Sequence, residues 1–125
     1  NRIEPGKRPR SSMSPTIVLS DGEPSLVIGS PGGSRIIGYI AQAIIAHVDW
    51  GMDVQKAVSM PHLVNRFGTY DLEEGTGAVD LQEALTDMGY EVNVRGLNSG
   101  LHAIAIADTL QGGADPRREG IALGE

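Results

Sequence analysis

Two β-rich runs followed by a double glycine and then a long apolar segment constrain this chain more than any other feature. Thr16-Ile17-Val18-Leu19 and Ser25-Leu26-Val27-Ile28 are separated by Ser20-Asp21-Gly22-Glu23 and Pro24. That separator has the Asp-Gly chemistry of a tight turn, so the pair is expected to form a hairpin. Both runs are nearly continuous in apolar residues, which predicts strands buried on both faces. After Gly29-Ser30-Pro31-Gly32-Gly33-Ser34-Arg35, the residues Ile36, Ile37, Tyr39, Ile40, Ala43, Ile44, Ala46 and His47 predict a helix that is apolar around most of its circumference and therefore largely buried.

The rest of the chain follows from turn chemistry and periodicity. Residues 1–15 carry Pro5, Gly6, Pro9 and Pro15 with no apolar period, and read as an extended loop. Asp53 is an N-cap for a short helix through Val54, Ala57 and Val58 that Pro61 ends. Short strands are expected at 62–65 and 69–72, and a helix at 79–88 with Gly89 past its end. Further strands are expected at 91–94, 102–107 and 120–123, the last after a loop over 112–118. This order, ββααββαβββ, favours helices layered on a largely antiparallel sheet.

Composition excludes several classes of function. At 125 residues the chain is long enough for one domain and too short for two. With one Trp, one Phe and three Tyr, its core must be built from Ile, Val, Leu and Ala. The formal charge of −6 argues against a nucleic-acid surface, and the basic cluster Arg2, Lys7, Arg8 and Arg10 reads as a solvated loop. No apolar run approaches the ~18–20 residues that would span a bilayer. The absence of cysteine removes disulfides, thiolate metal sites and a Cys nucleophile. No signal peptide is visible, and the start at Asn1 without an initiator Met suggests a processed or truncated product.

Two segments have chemistry of their own. A strand that runs through Gly32 and Gly33 into a helix presents unhindered backbone N–H groups at a helix N-terminus, a geometry that binds anions. The same glycines also serve simply to permit a tight strand-to-helix turn, and the segment lacks the Lys of a P-loop and the spacing of a dinucleotide fingerprint. Ser11 and Ser12 either satisfy local backbone groups or together grip one carboxylate, each such bond contributing about 1.5–3 kcal/mol.

As a pair, these segments resemble those of the γ-glutamyltranspeptidases. The matching residues are Pro9, the run Ser11-Ser12-Met13-Ser14-Pro15-Thr16-Ile17-Val18, the run from Gly29 through Gly32-Gly33-Ser34-Arg35 to Ile37, and the closing Ala114-Asp115-Pro116-Arg117. Residues between Gly51 and Gly100 match more loosely. The resemblance implies an α+β fold, part of the α/β/β/α sandwich of N-terminal-nucleophile hydrolases, with residues 1–125 forming a single-domain fragment from the C-terminal portion of the small subunit.

It also implies an activity: γ-glutamyl transfer or hydrolysis in glutathione metabolism, from glutathione-type donors to water, amino acids or peptides. Ser11 and Ser12 would hold the donor α-carboxylate, and the N–H groups of Gly32 and Gly33 would form the oxyanion hole. An N-terminal Thr freed by autocatalytic cleavage of a precursor would attack the γ-carbonyl. Asn1 has neither hydroxyl nor thiol, so this fragment alone would lack that nucleophile. Its partners would be the large subunit and the missing N-terminal part of the small subunit, with no nucleic acid or membrane. No metal or organic cofactor is implied, and a periplasmic or secreted location is compatible with the lack of cysteine. An acylase of the same superfamily acting on glutaryl or cephalosporin-type side chains, and a non-catalytic anion-binding module, are the alternatives.

The remaining candidates read as structure. His47 is expected to be a satisfied core or helix-end residue, and His62 and His102 form no metal-ligand spacing with it. Asp115 with Arg117 and Arg118 is expected to anchor the C-terminal loop, and Glu73-Glu74 to lie solvated in a glycine-rich turn.

Overall fold

The computed structural model describes residues 2–124; Asn1, on which the nucleophile argument turned, lies outside them. Among the described residues seven strands form two sheets. The first sheet is antiparallel, with β1 (Thr16–Ser20), β2 (Glu23–Gly29), β6 (His102–Ile106) and β7 (Leu110–Ala114) in the order β1-β2-β6-β7. The second holds β3 (Leu63–Arg66), β4 (Thr69–Glu73) and β5 (Glu91–Arg95), with β3 antiparallel and β5 parallel to β4. Among the described residues three α-helices accompany them: α1 (Ile36–Val48) and α2 (Val54–Ser59) lie between β2 of the first sheet and β3 of the second, and α3 (Gln82–Asp87) lies between β4 and β5.

The β1–β2 hairpin forms where it was expected, and its turn shows why. Asp21 and Gly22 have φ of 52° and 89°, the doubly left-handed pair of a two-residue turn whose twist suits flanking strands. The strands are not buried on both faces, however. Leu26, Ile28, Ala103 and Ala105 lie inside, while the cross-strand row Ile17, Val27 and Ile104 faces out, with Ile17 61% exposed. Strand side chains alternate between faces, and only one face of this sheet is covered by helices within the described residues.

Helix α1 behaves in the same way. Ile36, Tyr39, Ile40, Ala43 and Ala46 recur at helical spacing and are buried, whereas Ile37, Ile45 and Val48 on the opposite side are exposed. The core that results joins Leu26, Ile28, Tyr39, Ile40, Val54, Val58, Val64, Leu97 and Leu101 between the first sheet and the helices. Helix α2 begins as predicted: the Asp53 carboxylate accepts the N–H groups of Gln55 and Lys56 at 3.0 and 3.2 Å.

The last strand falls earlier than the sequence suggested, at Leu110–Ala114 rather than 120–123. Gly112 and Gly113, expected in a loop, lie instead within a strand approached closely on both faces. A Cβ at Gly113 would come within 3.0 Å of the Val54 carbonyl oxygen, and one at Gly112 within 2.6 Å of the Ala122 Cβ. Glycine here allows close approach of other chain segments. Gln55 reinforces the strand end, its amide both donating to the Ala114 carbonyl and accepting the Ala114 N–H.

Candidate functional site

The Gly32-Gly33 junction sits where β2 leaves the first sheet and the chain turns into α1. Gly32 has φ 139° and Gly33 φ 59°, both in the region that favours glycine. A single 3₁₀ turn over Gly33–Arg35 follows, and α1 begins at Ile36. Among the described residues neither Gly32 nor Gly33 donates a backbone hydrogen bond from its N–H. The two glycines differ in their surroundings: a Cβ at Gly33 would meet nothing within 4 Å, whereas one at Gly32 would lie 2.6 Å from Cε2 of Tyr39.

Arg35 fixes the far side of this junction. Its Nε donates to Oδ2 of Asp71 at 2.7 Å, Nη2 lies 2.6 Å from the same oxygen in an ion pair, and Asp71 is buried on β4. The turn out of the first sheet is therefore tied to the second. Next to it, the Ser34 hydroxyl accepts from Nη1 of Arg66 at 2.8 Å.

The predicted serine pair lies in the loop before β1. Ser11 is exposed and its Oγ accepts the Met13 N–H at 3.2 Å. Ser12 is half-buried, and its carbonyl accepts the Ser14 hydroxyl at 3.2 Å. Its own hydroxyl makes no hydrogen bond among the described residues. Ser12 and Ser34 line one cleft of about 350 Å³ together with Arg10, Ile37, Arg66 and Phe67. The fold thus brings Ser12 and the residue after Gly33 to a common surface, while Ser11 and the glycines themselves lie outside the lining.

Behind the junction is a buried polar cluster that sequence reading found only in part. Asp115 and Arg117 do pair, as expected, at 3.0 Å. Glu73, expected to be solvated, is instead buried at the end of β4: its Oε2 accepts from Nη2 of Arg117 at 2.6 Å and from the His62 N–H at 2.8 Å. Tertiary pairing overrode the exposure that a glycine-rich turn implied. Arg117 also donates to the carbonyl of Met60 at 2.6 Å, and Arg118 to that of Ser99 at 3.0 Å.

His62 forms the other half of the cluster. Nε2 lies 2.7 Å from the Ser99 hydroxyl, Nδ1 lies 3.2 Å from Oε1 of Gln42, and the Ser99 hydroxyl donates to Asp115. Because Ser99 spends its only proton on a carboxylate, it accepts from Nε2–H. The Gln42 amide is oriented by its donation to the Pro61 carbonyl at 2.7 Å, so Oε1 faces Nδ1 and asks for a second ring proton. Burial, with Arg117 nearby, works against that second proton and lowers the His62 pKa to about 4. At neutral pH the ring is uncharged, its proton on Nε2, and the 3.2 Å approach to Gln42 is its weak contact.

The ionised partners are held ionised. Burial pushes the Glu73 and Asp115 carboxyls up, but for Glu73 the hydrogen bonds from Arg117 and the His62 N–H outweigh it, and for Asp115 those from Ser99 and the Arg117 and Leu101 N–H groups. Both end below their ordinary values. Of the other histidines, His47 donates Nδ1–H to the Met52 carbonyl just past α1, and His102 is exposed. Among the described residues no group of three or more His, Asp or Glu side chains is arranged to hold a metal ion, and no helix is long and apolar enough to cross a membrane.

Comparison with known proteins gives this arrangement its context. The sequence pattern described as Gamma-glutamyltranspeptidase matches residues 1–125. The chain is 37% identical to the glutathione hydrolase proenzyme of Bacillus subtilis over 129 residues, covering 99% of this chain and 22% of that protein. It is 40% identical to the glutathione hydrolase proenzyme of Pseudomonas aeruginosa, covering 98% of this chain and 23% of the relative. Its backbone superposes on the gamma-glutamyltranspeptidase of Pseudomonas nitroreducens complexed with L-DON with a TM-score of 0.85 at 37% identity, over 100% of this chain and 68% of the other.

The fold is part of an N-terminal-nucleophile hydrolase sandwich, as the resemblance implied. The chain belongs to the gamma-glutamyltranspeptidase family. It spans 22–23% of the length of these curated relatives.

Proposed function

We propose that this chain supplies the donor carboxylate site and the oxyanion hole of an autoprocessed enzyme that transfers or hydrolyses γ-glutamyl groups of glutathione-type donors. Ser11 and Ser12 hold the α-carboxylate of the donor, and the N–H groups of Gly32 and Gly33 stabilise the oxyanion at the γ-carbonyl. The large subunit and the N-terminal part of the small subunit complete the site. A Thr there loses its hydroxyl proton to its own amine and forms an ester with the γ-carbonyl; the donor's amine leaves with a proton, and water or an acceptor amine then cleaves the ester.

The observation that carries this reading is the shared cleft. The hairpin folds back so that Ser12, with an uncommitted hydroxyl, and Ser34, next to Gly33, line one surface beside Arg10 and Arg66. Positive side chains at a carboxylate site are what a γ-glutamyl donor requires.

The test is substitution in the complete protein. Ser11→Ala and Ser12→Ala should each lower kcat/KM for a γ-glutamyl anilide by about 10- to 150-fold, equivalent to about 1.5–3 kcal/mol, with folding little changed. Full activity in both variants overturns the assignment. Faster turnover of a glutaryl than of a γ-glutamyl anilide by the wild type would favour an acylase instead. Residues 1–125 alone should release no anilide, because they hold donor-positioning groups without an attacking one.

A further inference from the structure

We propose that Tyr39 is a positioning residue for the Gly32-Gly33 junction, its ring acting as the floor that sets where the two N–H groups lie. The proposal rests on the oxyanion-hole reading above and adds to it a side chain that binds neither donor nor acceptor.

Three observations converge on this ring. First, the backbone of Gly32 lies directly on its edge: a Cβ there would approach Cε2 at 2.6 Å and Cδ2 at 3.0 Å, while Gly33 is unobstructed. Of the two glycines, Gly32 is thus the one whose position a neighbour dictates. Second, Tyr39 has no freedom of its own. It is 1% exposed, one turn into α1, a member of the core cluster with Leu26, Ile28 and Ile40, and its ring meets the His62 ring with centroids 4.2 Å apart and planes tilted by 34°. An aromatic side chain with two torsions, packed on both sides, holds its edge where the core puts it.

Third, the far side of the stack is itself anchored. His62 is 1% exposed and bonded to Ser99, which is bonded to Asp115. The same Ser99 loop reaches the junction again, because the Gly100 N–H donates to the Ser30 hydroxyl at 3.2 Å, two residues before Gly32. Tyr39 therefore stands between a rigid polar cluster and a glycine turn whose own backbone, free of side chains, is otherwise permissive. Oxyanion stabilisation depends on donors fixed in advance at the position of the developing charge. Loss of the floor should cost the transition state more than the ground state.

The test uses the complete protein and reads only its folded, processed fraction. With a γ-glutamyl anilide, Tyr39→Leu should lower kcat about 10- to 100-fold, the scale of an ångström-sized misplacement, with KM unchanged. Affinity for a boronic-acid analogue that mimics the tetrahedral intermediate should fall in parallel, while affinity for glutamate should not. Tyr39→Phe restores the ring and should restore kcat. Where Tyr39→Leu yields no folded protein, Tyr39→Met, which fills the volume without a rigid edge, is read in its place. Wild-type kcat in the Leu or Met variant overturns the positioning role alone, as does equal weakening of glutamate and boronate. A wild-type protein that turns over no γ-glutamyl anilide overturns the underlying reading, and this inference with it.

Discussion

Acidification should loosen this fold well above the pH at which its carboxylates protonate, and His62 is the reason. The ring is buried and uncharged, with a pKa lowered from 6.5 to about 4 by burial first and Arg117 second. Since the folded value lies below the unfolded one, the unfolded chain takes up the proton first. Stability is complete above about pH 6.5 and declines as pH falls toward 4. At about 1.36 kcal/mol per unit of separation, the loss between pH 7 and pH 5 is about 2 kcal/mol. Glu73 and Asp115 do not contribute in that window: their lowered values supply stability that is present above the ordinary carboxylate range and lost only below it. Urea unfolding at pH 7 and pH 5 measures the loss directly. His62→Gln cannot titrate, so its stability, though lower at pH 7, should change little between the two. An equal drop in the wild type and in His62→Gln would refute the argument and place the acid sensitivity elsewhere.

Two further outcomes follow from the buried ion pairs and the β3–β4 turn. Arg117→Met leaves Glu73 and Asp115 buried without their cation and should destabilise the fold by about 3–5 kcal/mol, measured by the urea midpoint; Arg117→Met with Glu73→Gln should recover part of that loss. Phe67, at φ 59° and 86% exposed, precedes Gly68 in the β3–β4 turn; Phe67→Asn should raise stability by about 1 kcal/mol, because a bulky residue is poorly suited to the left-handed conformation that Asn tolerates, and an unchanged melting temperature would count against that strain.

Local chemistry was legible from residues alone. Asp21-Gly22 specified a two-residue hairpin, Asp53 capped α2, and the strand, double glycine and apolar helix in sequence specified the junction, because each depends on neighbours within a few positions. The motifs around Ser11-Ser12 and Gly32-Gly33 pointed to the family in the same way. What the chain order could not convey was which groups meet across long separations. Glu73 looked solvated until Arg117, 44 residues away, was folded against it. Gly112 and Gly113 looked like a loop until Val54 and Ala122 were seen against them. The outward faces of β1 and α1 looked buried, because an apolar run indicates that something can cover it but not that this segment does so. Tyr39 had no signal beyond its place on an apolar helix. Its distance from Gly32 and its stack on His62 exist only after α1, the residue preceding β3 and the Ser99 loop have packed together, since side-chain proximity is a property of packing and not of spacing along the chain.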